Sequence, residues 1–160
     1  MTSLSPGSAL PQFLLTDSRG RTAALPAGER LYGFFKTTCP TCELAWPFFE
    51  RIAELSEGGR LAVVAVSQDE APETAAWNRR LGLRIPTLFD LDPWRASEAL
   101  DLENVPTFFR VGADGKLREA VVGFQRQKMQ EFAAEAASLA GKAPAQLFRP
   151  GENVPAIKPG

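Results

Sequence analysis

The sequence contains no histidine. That removes a Ser-His-Asp or Cys-His catalytic pair, an imidazole general base and every histidine metal ligand. Cysteine is nearly as scarce, with two residues. Two thiolates cannot close a four-ligand zinc site without carboxylate help, and they are too few to staple a secreted fold. Net charge is −1, so nothing marks a surface for nucleic acid or an anionic membrane. No run approaches the ~18 apolar residues of a membrane span. Residues Met1 to Gln12 show neither a basic start nor an apolar core, so they do not read as a signal peptide. The expected location is cytoplasmic, unless a leader has already been removed. Internal repeats and low-complexity tracts are missing too. What remains is a 160-residue chain, 44% apolar and 23% charged, the balance of one globular domain.

Residues 1–12 read as an irregular lead-in. Phe13 to Thr16 reads as a short strand, followed by a turn at Asp17-Ser18-Arg19-Gly20. Leu31 to Lys36 (LYGFFK) is a buried strand. Ala45, Phe48, Phe49, Ile52 and Leu55 then recur at helical spacing, with Pro47 inside as a kink and Gly58-Gly59 as the stop. Leu61 to Ser67 (LAVVAVS) is a continuous Val-rich run, as a central parallel strand should be. Residues 31–67 therefore form a βαβ unit. Pro72 opens a helix through Leu81 that Gly82 closes, and Thr87 to Phe89 is a brief strand. Asp92-Pro93 reads as an N-cap and first helical residue for a helix to about Leu100. Thr107 to Val111 and Leu117 to Gly123 flank a hairpin turn. A last helix spans Arg126 to Ala140, with Met129, Phe132, Ala133, Ala136 and Leu139 on its apolar face. This order predicts an α/β fold, a mixed central sheet with helices on both faces, in one domain over residues 1–140. Residues 141–160, rich in Pro and Gly with few apolar anchors, read as an extended tail.

The two cysteines form Cys39-Pro40-Thr41-Cys42, at the strand-to-helix junction of the βαβ unit. A helix start offers unpaired N–H groups and partial positive charge, both of which stabilise a thiolate. Thiols placed there have pKa values of roughly 3.5–7.5, against about 8.5 for free cysteine. Cys42 lies one turn on and further inside, positioned to attack a mixed disulfide. Cys39 is thus the expected nucleophile and Cys42 the resolving thiol. Pro40 suits the first helical position, where a missing N–H costs nothing. The plainer alternative is a pair of structural cysteines or half a metal site, and the βαβ setting argues against it.

Phe34-Phe35-Lys36-Thr37-Thr38-Cys39-Pro40-Thr41-Cys42, the helix with Pro47, and Val105-Pro106-Thr107 before the hairpin resemble the thioredoxin superfamily over residues 8–140. The long spacing between cysteines and Val-Pro-Thr, with the opening Leu10-Pro11-Gln12-Phe13, is similar to its TlpA-like and peroxiredoxin-related (AhpC/TSA) branch. The resemblance implies a three-layer thioredoxin-like sandwich and no cofactor or metal. It implies a cis bond at Val105-Pro106 beside the cysteines, with the Val105 backbone offered to a substrate chain and Pro40 and Thr41 lining its path. Ile85-Pro86-Thr87 is a similarly worded segment lacking the hairpin that should follow. Two departures stand out. The superfamily's buried Asp, six residues before the first cysteine, is Gly33 here. The Glu that some TlpA-like proteins carry three residues after the second cysteine is Ala45. Glu43 reads as a solvated first-turn acid. Lys36 reads either as a charge biasing Cys39 or as a solvated strand-end lysine. The aromatic residues, including Trp77, read as core, with Trp46 notable for its nearness to the pair.

Three functions compete. The first is a protein-disulfide oxidoreductase acting on protein or small-thiol disulfides with a reductant partner, as a monomer. The second is a thiol peroxidase, which the resemblance would equip with Pro-x-x-x-Thr/Ser-x-x-Cys. Counting back from Cys39 gives Lys36 and Tyr32, and from Cys42 gives Cys39 and Phe35, so neither register has that pattern. The third is a non-catalytic thioredoxin-like binding module, which would tolerate Cys39→Ser. A copper chaperone on this fold would want a histidine.

Overall fold

A computed structural model describes residues 4–160, so residues 1–3 of the irregular lead-in lie outside the described residues. The central strand, β1 (Glu29–Phe35), is buried along most of its length. It pairs in parallel with β2 (Leu61–Ser67), and β2 pairs in parallel with β3 (Thr87–Phe89). On its other side β1 pairs antiparallel with β4 (Thr107–Val111), which pairs antiparallel with β5 (Leu117–Val122). The sheet order is β3-β2-β1-β4-β5, a mixed five-stranded sheet. Between the strands lie α1 (Pro40–Ser56), α2 (Ala71–Leu81) and α3 (Arg95–Ala99); α4 (Arg126–Leu139) follows the hairpin.

Strand alternation divides the core in two. Leu31 and Phe35 of β1 join Phe49 and Ile52 of α1, Met129 and Phe132 of α4, and Trp77 of α2 on one face. Tyr32 and Phe34 join Leu15, Ala96 and Leu100 on the other. Helices therefore cover both faces. No helix among the described residues is long and apolar enough to cross a membrane.

Two expectations need correction. Residues 13–16 form no strand; Thr16 makes isolated bridges to Thr22 and Phe89 instead. Asp92-Pro93 does not open a helix: α3 starts later, after Trp94 in a left-handed conformation (φ 52°). The carboxylate serving α3 is Asp90, which accepts from the N–H groups of Ala96 and Ser97 at 3.1 and 2.8 Å. Residues 141–160, read as an extended tail, run largely outside helix and strand and lie along the domain. Leu147 is buried, and Phe148 packs on Phe48 with ring centroids 4.7 Å apart. Arg51 of α1 holds Glu152 through two hydrogen bonds of 2.8 and 2.6 Å. A two-residue strand β6 (Phe124–Gln125) pairs antiparallel with β7 (Ile157–Lys158).

Candidate active site

The chain leaves β1 at Phe35, turns through Lys36-Thr37-Thr38 and enters α1. Asp69, just beyond β2, fixes that turn: its Oδ2 accepts from Thr37 N at 2.6 Å and from Thr37 Oγ1 at 2.8 Å. Cys39 is the N-cap of α1, extended at φ −101° and ψ 112°, and Pro40 follows in the first helical turn. The Cys39 sulfur does the capping, accepting from Cys42 N at 3.1 Å. A helix start has orphan N–H donors, and here a sulfur meets them.

Both cysteines are free thiols, Cys39 partly exposed and Cys42 buried. Their acidities are driven apart. The hydrogen bond from the Cys42 thiol, helped by the Cys42 and Thr41 N–H groups and by the Lys158 charge, lowers Cys39 from 9.0 to about 6, against opposition from burial. Burial pushes the Cys42 thiol up, and its hydrogen bond to the Cys39 sulfur and the charges of Cys39 and Asp69 push the same way.

Val105-Pro106 is cis and faces the pair, with Val105 O 3.5 Å from Cys39 Sγ. Ile85-Pro86 is not among the cis bonds of the described residues, and that segment only opens β3. Pro40 is exposed, whereas Thr41 is buried and donates from Oγ1 to Pro159 O at 2.6 Å. The structure thus brings Cys39, Cys42, Thr41, Val105 and Pro106 together at one end of the sheet.

Lys36 does not reach Cys39; its Nζ lies over the Trp94 ring, 5.9 Å from the centroid. Glu43 is engaged with Arg80 at 2.9 Å on the surface. Gly33 lies under α1, where a Cβ would meet Phe49 Cζ at 2.7 Å and Trp46 Cη2 at 3.1 Å. Aromatic edges fill the space a buried acid would need, and Ala45 is fully buried in the same cluster. Trp46 packs among Phe35, Phe49 and Phe108, and its buried indole N–H has no hydrogen-bond partner among the described residues. It is a core residue bordering the site. Among the described residues no group of three or more His, Cys, Asp or Glu gathers to hold a metal ion.

Sequence reasoning missed Asp69 and Lys158. Asp69 had a usable signal, a carboxylate just past the carboxyl end of a parallel strand, where α/β sheets place their sites. Lys158 had none, since only the folding back of residues 141–160 delivers it.

Known proteins resemble this chain along most of its length. The thiol-disulfide oxidoreductase ResA of Bacillus subtilis is 27% identical over 132 residues, covering 79% of this chain and 73% of ResA. StoA from Bacillus subtilis superposes with a TM-score of 0.63 at 16% identity, covering 78% of this chain and 98% of StoA. A thiol:disulfide interchange protein of the thioredoxin family from Chlorobium tepidum TLS gives 0.66 at 18% identity, covering 86% and 98%. At those identities the two structures speak to the fold, which is thioredoxin-like. The sequence model of the Redoxin family matches residues 5–137, a span that holds both cysteines and Val105-Pro106, and the chain belongs to the Redoxin family.

Proposed function

We propose that this chain is a thiol:disulfide oxidoreductase that exchanges its Cys39-Cys42 dithiol with disulfides of polypeptide substrates. One observation carries the reading: a partly exposed, acidified Cys39 caps a helix directly above a buried Cys42, with a backbone carbonyl 3.5 Å from its sulfur. The names of the ResA relatives support it.

The Cys39 thiolate attacks one sulfur of a substrate disulfide. A Cys39–S bond forms, the substrate S–S bond breaks, and the released substrate sulfur takes up a proton. Cys39 then has neither negative charge nor a lone pair engaged with the Cys42 thiol. Two influences that keep Cys42 protonated disappear at that moment. Cys42 releases its proton and attacks Cys39 Sγ, forming the Cys39–Cys42 bond and freeing the second substrate sulfur as a thiol. The substrate is reduced by two electrons and the protein oxidised by two. A dithiol reductant partner restores the pair, and the whole cycle runs backwards for an oxidised enzyme. In this reading Val105, Pro106, Pro40 and Thr41 line the substrate's path, and a cytoplasmic monomer suffices.

Turnover of insulin disulfides with dithiothreitol as reductant tests it. Cys39→Ser should abolish turnover, and Cys42→Ser should accumulate a mixed disulfide at Cys39. Full activity in Cys39→Ser would sink the reading. So would efficient peroxide turnover through a stable Cys39 sulfenate without disulfide exchange, which would favour a peroxidase.

A further inference from the structure

Residues 145–160 form a strap that starts behind α1 and ends at the redox pair. Its middle is well anchored, through buried Leu147, the Phe148 stack and the Arg51–Glu152 ion pair. Its end is lightly held. Ala156 O accepts from Arg126 N at 2.9 Å, and Ile157 and Lys158 pair with Gln125 and Phe124 in a two-residue ladder. Ile157 is 69% exposed.

That end lies on the groove beside Cys39. Thr41 Oγ1 donates to Pro159 O at 2.6 Å. Gly160 rests on the Val105-Pro106 peptide so closely that a Cβ built on it would stand 2.0 Å from Val105 O and 2.8 Å from Val105 C. Only glycine fits that approach. The protein's own chain therefore covers the backbone carbonyl that borders the Cys39 sulfur, and brings the charge of Lys158 alongside. An incoming chain cannot lie on the same Val105 backbone while Gly160 does.

We propose that residues 157–160 are an intramolecular occupant of the chain-binding groove, displaced when an extended polypeptide disulfide engages Cys39 and bypassed by small disulfides. This rests on the roles given above to Cys39 and Val105. The displacing chain recovers what the strap gives up: a carbonyl for the Thr41 hydroxyl, an extended backbone against the β6 edge, and a small residue on Val105. A ladder of two residue pairs opens at low cost, while the anchored middle keeps the end nearby to reseat.

Gly160→Val, whose side chain clashes with Val105, and deletion of residues 157–160 should both uncover the groove. Reaction rates with insulin and with 5,5′-dithiobis(2-nitrobenzoate) are measured for each. The insulin rate relative to the small reagent should rise roughly three- to tenfold, the factor by which a closed majority state lowers apparent reactivity. Lys158→Ala keeps the strap and removes only the charge, so it should change both rates alike. An unmoved or lower ratio in Gly160→Val and in the deletion overturns the inference while leaving the disulfide-exchange reading intact. A wild-type chain inert toward both reagents overturns both. A second measurement is independent of strap variants. In Cys42→Ser joined through Cys39 to a cysteine-containing peptide, amide exchange at Phe124, which pairs with Lys158 in the β6–β7 ladder, should quicken about tenfold as Lys158 leaves, and unchanged protection overturns the inference.

Discussion

At the scale of single residues, the chemistry rests on two like sulfurs in different environments. Free in solution, Cys39 and Cys42 would be alike; the fold lowers one to about 6 and raises the other. Alkylation of the reduced protein by iodoacetamide should therefore label Cys39 first at pH 7. Its rate should fall about tenfold per pH unit below the midpoint near 6, because only the thiolate reacts. Preferential labelling of Cys42 would reverse the roles. The place of the two cysteines at a helix start after a buried strand was readable from spacing, and the cis Val105-Pro106 beside them from the resemblance. Gly33 was readable only as a missing acid. The reason for the glycine appears in the packing, where Phe49 and Trp46 occupy the space. Gly33→Ala should cost about 1–3 kcal/mol by overpacking, measured as a lower urea midpoint. Unaltered stability would mean that the two rings yield easily.

At the scale of elements, legibility followed how local the cause was. β2, β3 and β4 lie where their apolar runs predicted, and α2 ends at Gly82, whose φ of 69° closes the helix. Local chemistry determines such features. The third helix shows the opposite case. Asp92-Pro93 has the wording of a helix start, yet the five-residue α3 is capped from Asp90, five residues before it begins. Asp90 is buried, and its carboxylate also accepts from Ser97 Oγ at 2.6 Å. Trp94 adopts its left-handed backbone while its indole N–H donates to Gln68 O at 3.1 Å. Gln68 lies just past β2 and Asp90 just past β3, and only the pairing of those strands brings the two together, so no local pattern announces them. Asp90→Ala would leave buried donors on Ala96 and Ser97 unpaired, at a cost of about 1–3 kcal/mol. Chemical denaturation should show that loss, and Asp90→Asn should recover part of it. The strap was illegible for a related reason. Leu147, Phe148 and Val154 have no period, and their Pro- and Gly-rich neighbours read as loop until Arg51 and Gln130 supply the anchors.

At the scale of the whole molecule, the opposed cysteine acidities make folding stability depend on pH in the reduced state. Cys39 loses its proton near pH 6 when folded and near 9.0 when unfolded. Between those values the unfolded chain binds one more proton at this site, so stability rises with pH across that window. The contribution is fully present above about 9 and lost as pH falls through 6. Cys42 works the other way. Its folded thiol stays protonated where the unfolded one ionises, so stability declines above about 9. Carboxylates contribute in a separate, acidic range. Glu152, held to about 2 by the Arg51 hydrogen bond and the Arg149 N–H, loses its contribution only as pH drops from about 4.5 toward 2. The two ranges do not overlap, which makes the thiol effect separable. Urea midpoints of the reduced protein should climb from pH 6 to 8.5 relative to Cys39→Ser, in which the low-pKa group is gone. The oxidised protein should show no such climb, because neither sulfur titrates in a disulfide. Parallel pH profiles for the reduced wild type and Cys39→Ser would mean that the fold does not stabilise the Cys39 thiolate, and the assignment of Cys39 as the activated nucleophile would lose its physical basis.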